Sequence, residues 1–89
     1  MIFHGLELDP DAQRFLEMIA ASMQQTFSIL ETEAVGRIRA AWLGRRIDGD
    51  AILYHEPPEF WAKALYFGRR DFWRYKDLTP APYQASVIS

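Results

Sequence analysis

The chain has 89 residues, with ten lysines and arginines and twelve aspartates and glutamates, which gives a formal net charge of −2. Hydrophobic residues make up 49% of the sequence and aromatic residues 15%, which is typical of a folded protein rather than a disordered one. This length excludes two-domain enzymes, (β/α)₈ barrels and complete dinucleotide-binding folds. We expect a single helical domain over residues 1–83 and a frayed tail over residues 84–89.

The sequence contains no cysteine. Disulfides, thiolate metal sites and cysteine nucleophiles are therefore excluded, and because small secreted domains usually carry disulfides, we expect a cytoplasmic protein. The first residues lack the early positive charge and the uninterrupted apolar run of a signal peptide. No apolar run approaches the roughly 20 residues that cross a bilayer, so we expect no membrane partner.

Residues 1–8 are mostly apolar and predict an extended arm that packs on the core. The residues expected to make this contact are Ile2, Phe3, Leu6 and Leu8.

Asp9-Pro10-Asp11 then predicts a helix start, because Asp9 can accept a hydrogen bond from the first turn and Pro10 suits the first helical position. Helix 1 is expected from about Pro10 to Gln25 or Thr26. Its apolar positions recur at helical spacing: Ala12, Phe15, Leu16, Ile19 and Met23.

Helix 2 is predicted from about Leu30 to Leu43, with Gly44 as its stop. Ser28 and Glu31 have the spacing of a capping box, and Thr32 is an alternative cap. The predicted apolar stripe is Leu30, Ala34, Ile38, Ala41 and Trp42. Gly36 lies inside this helix at a cost of about 1 kcal/mol relative to alanine, which close packing against helix 1 would explain.

The helical pattern stops after Gly44. Asp48-Gly49-Asp50 predicts a turn, and the apolar run over residues 51–54 is either extended or one irregular turn. We predict no sheet, because no second strand is evident.

Pro57-Pro58 suits a helix entry, and Gly68 suits the end of that helix. The apolar residues of helix 3 are Phe60, Trp61, Ala64, Leu65 and Phe67. We expect Trp42 and Trp61 to share one core cluster.

The elements together predict an all-α fold, with three main helices in a small bundle or orthogonal arrangement. An extended N-terminal arm precedes the helices, and an aromatic and basic C-terminal tail follows them.

The charge is unevenly distributed between the two halves of the sequence. Residues 1–36 hold six acids and one base, a net charge of −5, whereas residues 37–89 hold nine bases and six acids, a net charge of +3. Such a chain can pair its halves internally, associate head to tail, or bind an anionic partner.

His55 and Glu56 form the most conspicuous polar pair. With Glu59 they spell His-Glu-x-x-Glu, and His4 is the second imidazole of the sequence. A zinc-protease motif needs two histidines four residues apart on one helix, whereas here the second position is a glutamate and two prolines intervene. We therefore favour a structural role, in which Glu56 caps helix 3 and His55 binds a backbone carbonyl or a carboxylate, over the metal or acid–base site of a small enzyme. We predict no metal and no cofactor.

The segment from Phe67 to Lys76 contains four bases, one acid and four aromatic residues. Such a segment can clamp phosphates and stack bases, so nucleic-acid binding through residues 69–76 is an alternative function. The competing interpretation is that Phe72 and Trp73 pack on the core while the basic side chains are solvated. An isoelectric point of about 5.6 is unlike that of most nucleic-acid-binding domains and favours the second interpretation.

Helices 1 and 2 could also be compared with a helix-turn-helix DNA-binding unit. Arg37 and Arg39 lie on different faces of the second helix, and the first helix is acidic where it would cross the DNA backbone, so we do not favour this interpretation. The sequence contains no nucleophile elbow, no Walker A motif and no G-x-G-x-x-G motif.

Several short motifs follow one another between residues 27 and 67. They are Glu33-Ala34, Ile38, Trp42-Leu43-Gly44, Tyr54-His55-Glu56-Pro57 and Trp61-Ala62. This order resembles a family of small uncharacterised bacterial helical proteins. The resemblance implies that the motifs belong to one domain, and it implies no activity.

Thirteen aromatic residues are many for a core of this size, so we expect some at the surface, where aromatics commonly anchor interfaces. The leading hypothesis is a non-enzymatic protein–protein interaction module, either a homodimer or an adaptor or regulatory partner of a larger bacterial protein. The candidate interaction surface comprises Trp42, Arg69, Arg70, Phe72, Trp73, Arg74 and Tyr83.

Overall fold

Three α-helices form most of the chain that the computed structural model describes, which is residues 1–44, 46–47 and 55–83. Helix α1 spans Pro10–Phe27, α2 spans Glu31–Trp42 and α3 spans Pro58–Phe67, and a short 3₁₀ helix follows at Phe72–Arg74. α1 packs against both α2 and α3. The predicted all-α fold with three main helices is confirmed.

α1 begins where the sequence predicts. Oδ1 of Asp9 accepts a hydrogen bond of 2.7 Å from the backbone N–H of Ala12, and Pro10 occupies the first helical position. The cap satisfies one of the N–H groups that lack an intrahelical partner at a helix start. One face of the helix is fully buried, through Ala12, Leu16, Ile19, Ala20 and Met23. α1 therefore supplies the centre of the core.

The junction between α1 and α2 differs from the prediction. Ser28 does not cap α2; it ends α1 in a left-handed conformation with φ of 55°, and its N–H donates to the carbonyl oxygen of Gln24 at 2.9 Å. The N-cap of α2 is Leu30, and in the described part of the chain no side chain caps this end. The capping-box prediction is wrong because Ser28 already serves as the residue that closes the preceding helix.

α2 buries only part of the predicted stripe. Ala34 and Ile38 are fully buried, but Leu30 and Ala41 are exposed. A charged residue, Arg37, occupies the buried position next to Ile38. α2 therefore contributes Ala34 and Ile38 to the core, with Val35 and Trp42 half-buried against it, and one buried charge.

The end of α2 meets α3 through two tryptophans. The rings of Trp42 and Trp61 pack edge to face with their centroids 5.7 Å apart. Trp61 is a core residue, and Trp42 is half-buried against the same core. The prediction that the two tryptophans share one cluster is confirmed.

α3 begins and ends as predicted, with Pro58 in its first turn and Gly68 at its C-cap. Gly68 has φ of 72°, a left-handed conformation that glycine adopts without strain. The N-cap is Pro57, and among the residues described no side chain caps this helix. The prediction that Glu56 is the cap is wrong, because the adjacent proline takes the cap position and leaves Glu56 one residue too early.

A short parallel pair of strands joins the N-terminal arm to the chain after α2. Strand β1, Glu7–Leu8, pairs with strand β2, Arg46–Ile47. Ile47 is only 4% exposed and Leu8 is half-buried against the core, so both strands reach the core. Phe3, in the arm before β1, is also 4% exposed. The prediction that Ile2 packs on the core is wrong, because its side chain is 67% exposed. The prediction of no sheet is also wrong, because the two strands pair. Strands of two residues carry no recognisable periodicity, which is why the sequence does not reveal them.

Three predictions fall outside the described residues. They are the turn at residues 48–50, the apolar run at residues 51–54 and the frayed tail at residues 84–89. Within the described ranges, no helix combines the length and the apolar character that crossing a membrane requires.

The most buried and the most exposed tryptophan together provide a test of the fold. Trp61 is 7% exposed and Trp73 is 67% exposed. We expect Trp61→Ala to lower the free energy of unfolding by about 3–5 kcal/mol, as truncation of a buried aromatic does. Trp73→Ala is expected to change it by less than about 0.5 kcal/mol. Urea unfolding measures both, and equal losses in the two variants would contradict this packing.

Candidate functional site

A groove lies where the end of α1 meets α3 and the segment that follows it. It is a shallow depression that is open to solvent, with a volume of about 390 Å³. The lining residues are Phe27, Lys63, Phe67, Phe72, Trp73, Tyr75, Lys76 and Leu78. We call this feature the aromatic–basic groove.

The groove combines packed aromatic rings with solvent-exposed ones. The ring of Phe27 meets that of Phe67 edge to face at 5.4 Å, and Phe72 lies 5.5 Å from Phe60. These rings are half-buried. The exposed members are Trp73, at 67%, and Tyr75, at 47%. The groove thus has a packed aromatic base and an accessible aromatic rim.

The charge of the groove is positive. Lys63 and Lys76 line it and are both exposed, and none of the described lining residues is a carboxylate or an imidazole. An anionic group that enters the groove is therefore attracted by two ammonium groups and meets no lining acid.

The three arginines predicted for the interaction surface are exposed, and each lies against an aromatic ring of its own chain. The pairs are Arg69 with Tyr75 at 3.9 Å, Arg70 with Trp61 at 5.1 Å and Arg74 with Trp73 at 5.1 Å from the ring centroid. These are the distances of cation–π contacts. Arg69 and Arg74 therefore lie against the two exposed rings at the rim of the groove, whereas Arg70 packs on the core residue Trp61.

Arg69 is also bound by Asp71. Its Nε donates to Oδ1 of Asp71 at 2.8 Å, and its Nη2 donates to the hydroxyl of Tyr75 at 2.7 Å. The hydrogen bond from Arg69 lowers the pKa of the Asp71 carboxyl, and the same bond raises the pKa of Arg69. Because both groups face solvent, the pair adds little to stability. Its consequence is local, since it restrains Tyr75 at the rim.

Arg37 organises a second cluster, which the sequence analysis does not identify. Its side chain is 8% exposed, and its Nε donates to Oε2 of Glu33 at 2.9 Å. Its Nη1 donates to the carbonyl oxygens of Ala81 at 2.9 Å and Tyr66 at 3.3 Å. A buried guanidinium is costly unless its N–H groups find acceptors, so these contacts tie α2, α3 and the C-terminal segment together. We call these residues, with Tyr83, the Arg37 cluster.

Two tyrosine rings complete the Arg37 cluster. The guanidinium carbon lies 4.7 Å from the ring centroid of Tyr66 and 5.3 Å from that of Tyr83. The hydroxyl of Tyr83 donates to the carbonyl oxygen of Thr32 at 3.4 Å. Tyr83, which the sequence analysis assigns to the interaction surface, is thus half-buried in this internal cluster and does not line the groove.

The Arg37 cluster and the aromatic–basic groove are physically connected. The ring of Tyr66 stacks on that of Phe27, with centroids 3.7 Å apart and planes 7° from parallel, and Phe27 lines the groove. The backbone gives a second connection, because three lining residues in the segment 75–83 precede Ala81, which Arg37 holds. One wall of the groove therefore depends on Arg37 for its position.

Gly36 makes room for the C-terminal segment on α2. A Cβ atom at position 36 would lie 2.7 Å from Cε1 of Tyr83, closer than real contacts allow. The predicted reason for this glycine, close packing against α1, is wrong, because the neighbour that requires it is Tyr83. Glycine lowers the stability of the helix, but only glycine leaves room for the Tyr83 ring to pack directly on the backbone of α2.

The other predicted site residues lie apart from the groove. Trp42 packs half-buried against Trp61, as described above. His55 is exposed and Glu56 half-buried just before α3. In the part of the chain that the structure describes, no three histidine, aspartate or glutamate side chains converge as metal ligands.

The arginines of α2 do not form a DNA-reading surface. Arg37 is buried, and Nε of Arg39 donates to the backbone carbonyl of His4 at 2.6 Å. The two side chains point to different partners, as their spacing on the helix predicts.

A sequence signal for the Arg37 cluster does exist. Position 37 falls at helical spacing from Ala34 on the buried stripe, Glu33 precedes it by one turn, and Gly36 adjoins it. A charged residue on an apolar stripe with an opposite charge four residues away indicates a buried ion pair. The contact of Arg37 with Ala81 has no such signal, because 44 residues separate the two.

Comparison with protein families, curated proteins and solved structures yields no match. The fold alone does not indicate a function, so the geometry and chemistry of the groove carry the proposal.

Gly36 and Tyr83 provide a test of the cluster. In the natural chain, Gly36→Ala is expected to lower stability by roughly 1 kcal/mol or more, because the new methyl group displaces the Tyr83 ring. In a Tyr83→Ala chain the same substitution is expected to raise stability by up to about 1 kcal/mol, because helix propensity then acts alone. Urea unfolding of the four chains measures both effects. The same sign in both backgrounds would contradict the contact.

Proposed function

We propose that the chain is a non-enzymatic protein–protein interaction module whose binding surface is the aromatic–basic groove. The observation that carries the proposal is Trp73, an indole that is 67% exposed at the rim of a groove of about 390 Å³. Tryptophan and tyrosine dominate the energetics of protein interfaces because their rings are large and have few rotatable bonds. Tyr75 adds a second ring of this kind.

The energy available from covering these rings is substantial. An aromatic side chain buries roughly 200 Å², so covering the exposed two-thirds of Trp73 contributes about 3 kcal/mol at about 25 cal/mol per Å². This is a large fraction of the roughly 8 kcal/mol that a micromolar complex requires.

The rim is also restrained before any partner arrives. Arg74 lies against Trp73, and Arg69 holds Tyr75 through its hydroxyl. Side chains restrained in this way lose less conformational entropy on binding. The restraint on these two rings supports the interpretation that the rim is a preorganised binding surface.

Nucleic-acid binding is the second candidate, because exposed aromatics beside lysines can stack bases. Several arginine contacts weigh against it. Arg69 is engaged by Asp71, and Arg70 and Arg74 lie against rings of their own chain. The net charge of −2 also opposes the approach of a polyanion. A protein partner is therefore the better supported proposal.

A peptide-display selection tests the proposal. The natural chain is the target of the selection, at a concentration at which it is monomeric. We expect it to enrich a family of related peptides. These peptides should bind a Trp73→Ala/Tyr75→Ala chain at least roughly tenfold more weakly, because an interface loses its aromatic anchors. The matched control is Met18→Ala/Leu43→Ala, which removes two exposed apolar side chains outside the groove and should leave binding unchanged.

Two results would overturn the proposal. One is a selection that enriches no peptide family. The other is a set of peptides that bind the natural chain and the Trp73→Ala/Tyr75→Ala chain equally well, since the binding surface would then lie elsewhere.

A further inference from the structure

A side chain that could fill such a groove is exposed on the same molecule. Leu30 is 75% exposed, more than any other large hydrophobic residue of the described ranges. It lies three residues after Phe27, which lines the aromatic–basic groove, so their Cα atoms are at most about 11 Å apart. An apolar projection and an apolar groove therefore lie next to each other on the surface.

We propose that the groove is occupied by a second copy of this chain, in a two-fold dimer in which Leu30 of each copy enters the groove of the other. The proposal rests on the proposed function and names its partner. A two-fold axis suits this arrangement, because a patch that carries both the projection and the groove is complementary to itself. The dimer then contains the same contact twice, once in each direction.

The charges around Leu30 are complementary to those of the groove. The next residue, Glu31, is exposed, whereas the nearby Glu33 is already bound by Arg37. The groove offers Lys63 and Lys76. In the dimer, the carboxylate beside the entering leucine therefore meets two ammonium groups, which orients the two copies.

The uneven charge of the chain agrees with this pairing. Leu30 and Glu31 belong to residues 1–36, with a net charge of −5, whereas seven of the eight lining residues belong to residues 37–89, with a net charge of +3. In the dimer, Glu31 from the acidic half of one sequence faces Lys63 and Lys76 from the basic half of the other.

The test is sedimentation equilibrium of the full chain and three variants. The mass of the natural chain is expected to rise from 10.4 kDa towards twice that value as the concentration approaches roughly 100 µM. Leu30→Ser and Trp73→Ala are each expected to raise the dissociation constant of the dimer at least tenfold. The expected mass of Leu43→Ser, at the other end of α2, is that of the natural chain, because this leucine is exposed away from the groove.

Leu30→Ser separates loss of the dimer from loss of the fold. Position 30 is the N-cap of α2, where serine supplies the side-chain acceptor that leucine lacks. At a concentration at which both chains are monomeric, this variant is therefore expected to melt at the same or a higher temperature than the natural chain. A lost dimer in a well-folded variant then reports on the interface alone.

The outcomes distinguish this inference from the proposed function. A natural chain that stays at 10.4 kDa at every concentration overturns the dimer, and the peptide selection still decides the groove. A dimer that Leu30→Ser and Trp73→Ala leave intact overturns this inference by locating the contact on another surface. Binding of a labelled oligothymidylate that Trp73→Ala abolishes would overturn both proposals in favour of nucleic-acid recognition.

Discussion

Arg37 is the residue on which the position of the C-terminal segment depends. Its guanidinium is buried, and it donates to one carboxylate on its own helix and to two backbone carbonyls, one at the end of α3 and one in the C-terminal segment. Removing a partner from a buried charge costs about 3–5 kcal/mol, because the remaining charge is left unpaired. The same penalty makes the bound arrangement specific, since few positions of the C-terminal segment can supply a carbonyl oxygen at that point.

The groove inherits its shape from this internal contact. Tyr66 lies between the two features, with Arg37 4.7 Å from its ring centroid and Phe27 stacked against it. The C-terminal segment passes along the groove before Ala81 reaches Arg37. A buried charge thus holds the C-terminal segment that follows the aromatic rim. The helices carry five of the lining residues, and this segment adds Tyr75, Lys76 and Leu78. Gly36 completes this arrangement by admitting the ring of Tyr83.

The helices can be predicted from interactions between residues that are close in the sequence. The groove cannot, because it depends on contacts between residues that are far apart in the sequence. Asp9 and Gly68 mark a helix start and a helix end through interactions with residues only a few positions away, so both are visible in the sequence. Ser28 has the same kind of local signal but serves the helix before it rather than the helix after it. Trp73 and Tyr75 fall within the predicted aromatic and basic stretch, whereas Phe27 joins them in the groove from a different helix. Only the packing of α1 against α3 brings these residues together.

The most direct measurement is the hydrogen exchange of the Ala81 amide, which donates to the carbonyl oxygen of Tyr66 at 2.8 Å. In the natural chain this amide is expected to exchange at least roughly a hundredfold more slowly than an unstructured one, because Arg37 holds the segment on α3. In Arg37→Met the protection of Ala81 should be lost while the amides of α1 remain protected, which shows that the fold persists. An Ala81 amide that exchanges freely in the natural chain, or that is equally protected in Arg37→Met, would contradict the role assigned to Arg37.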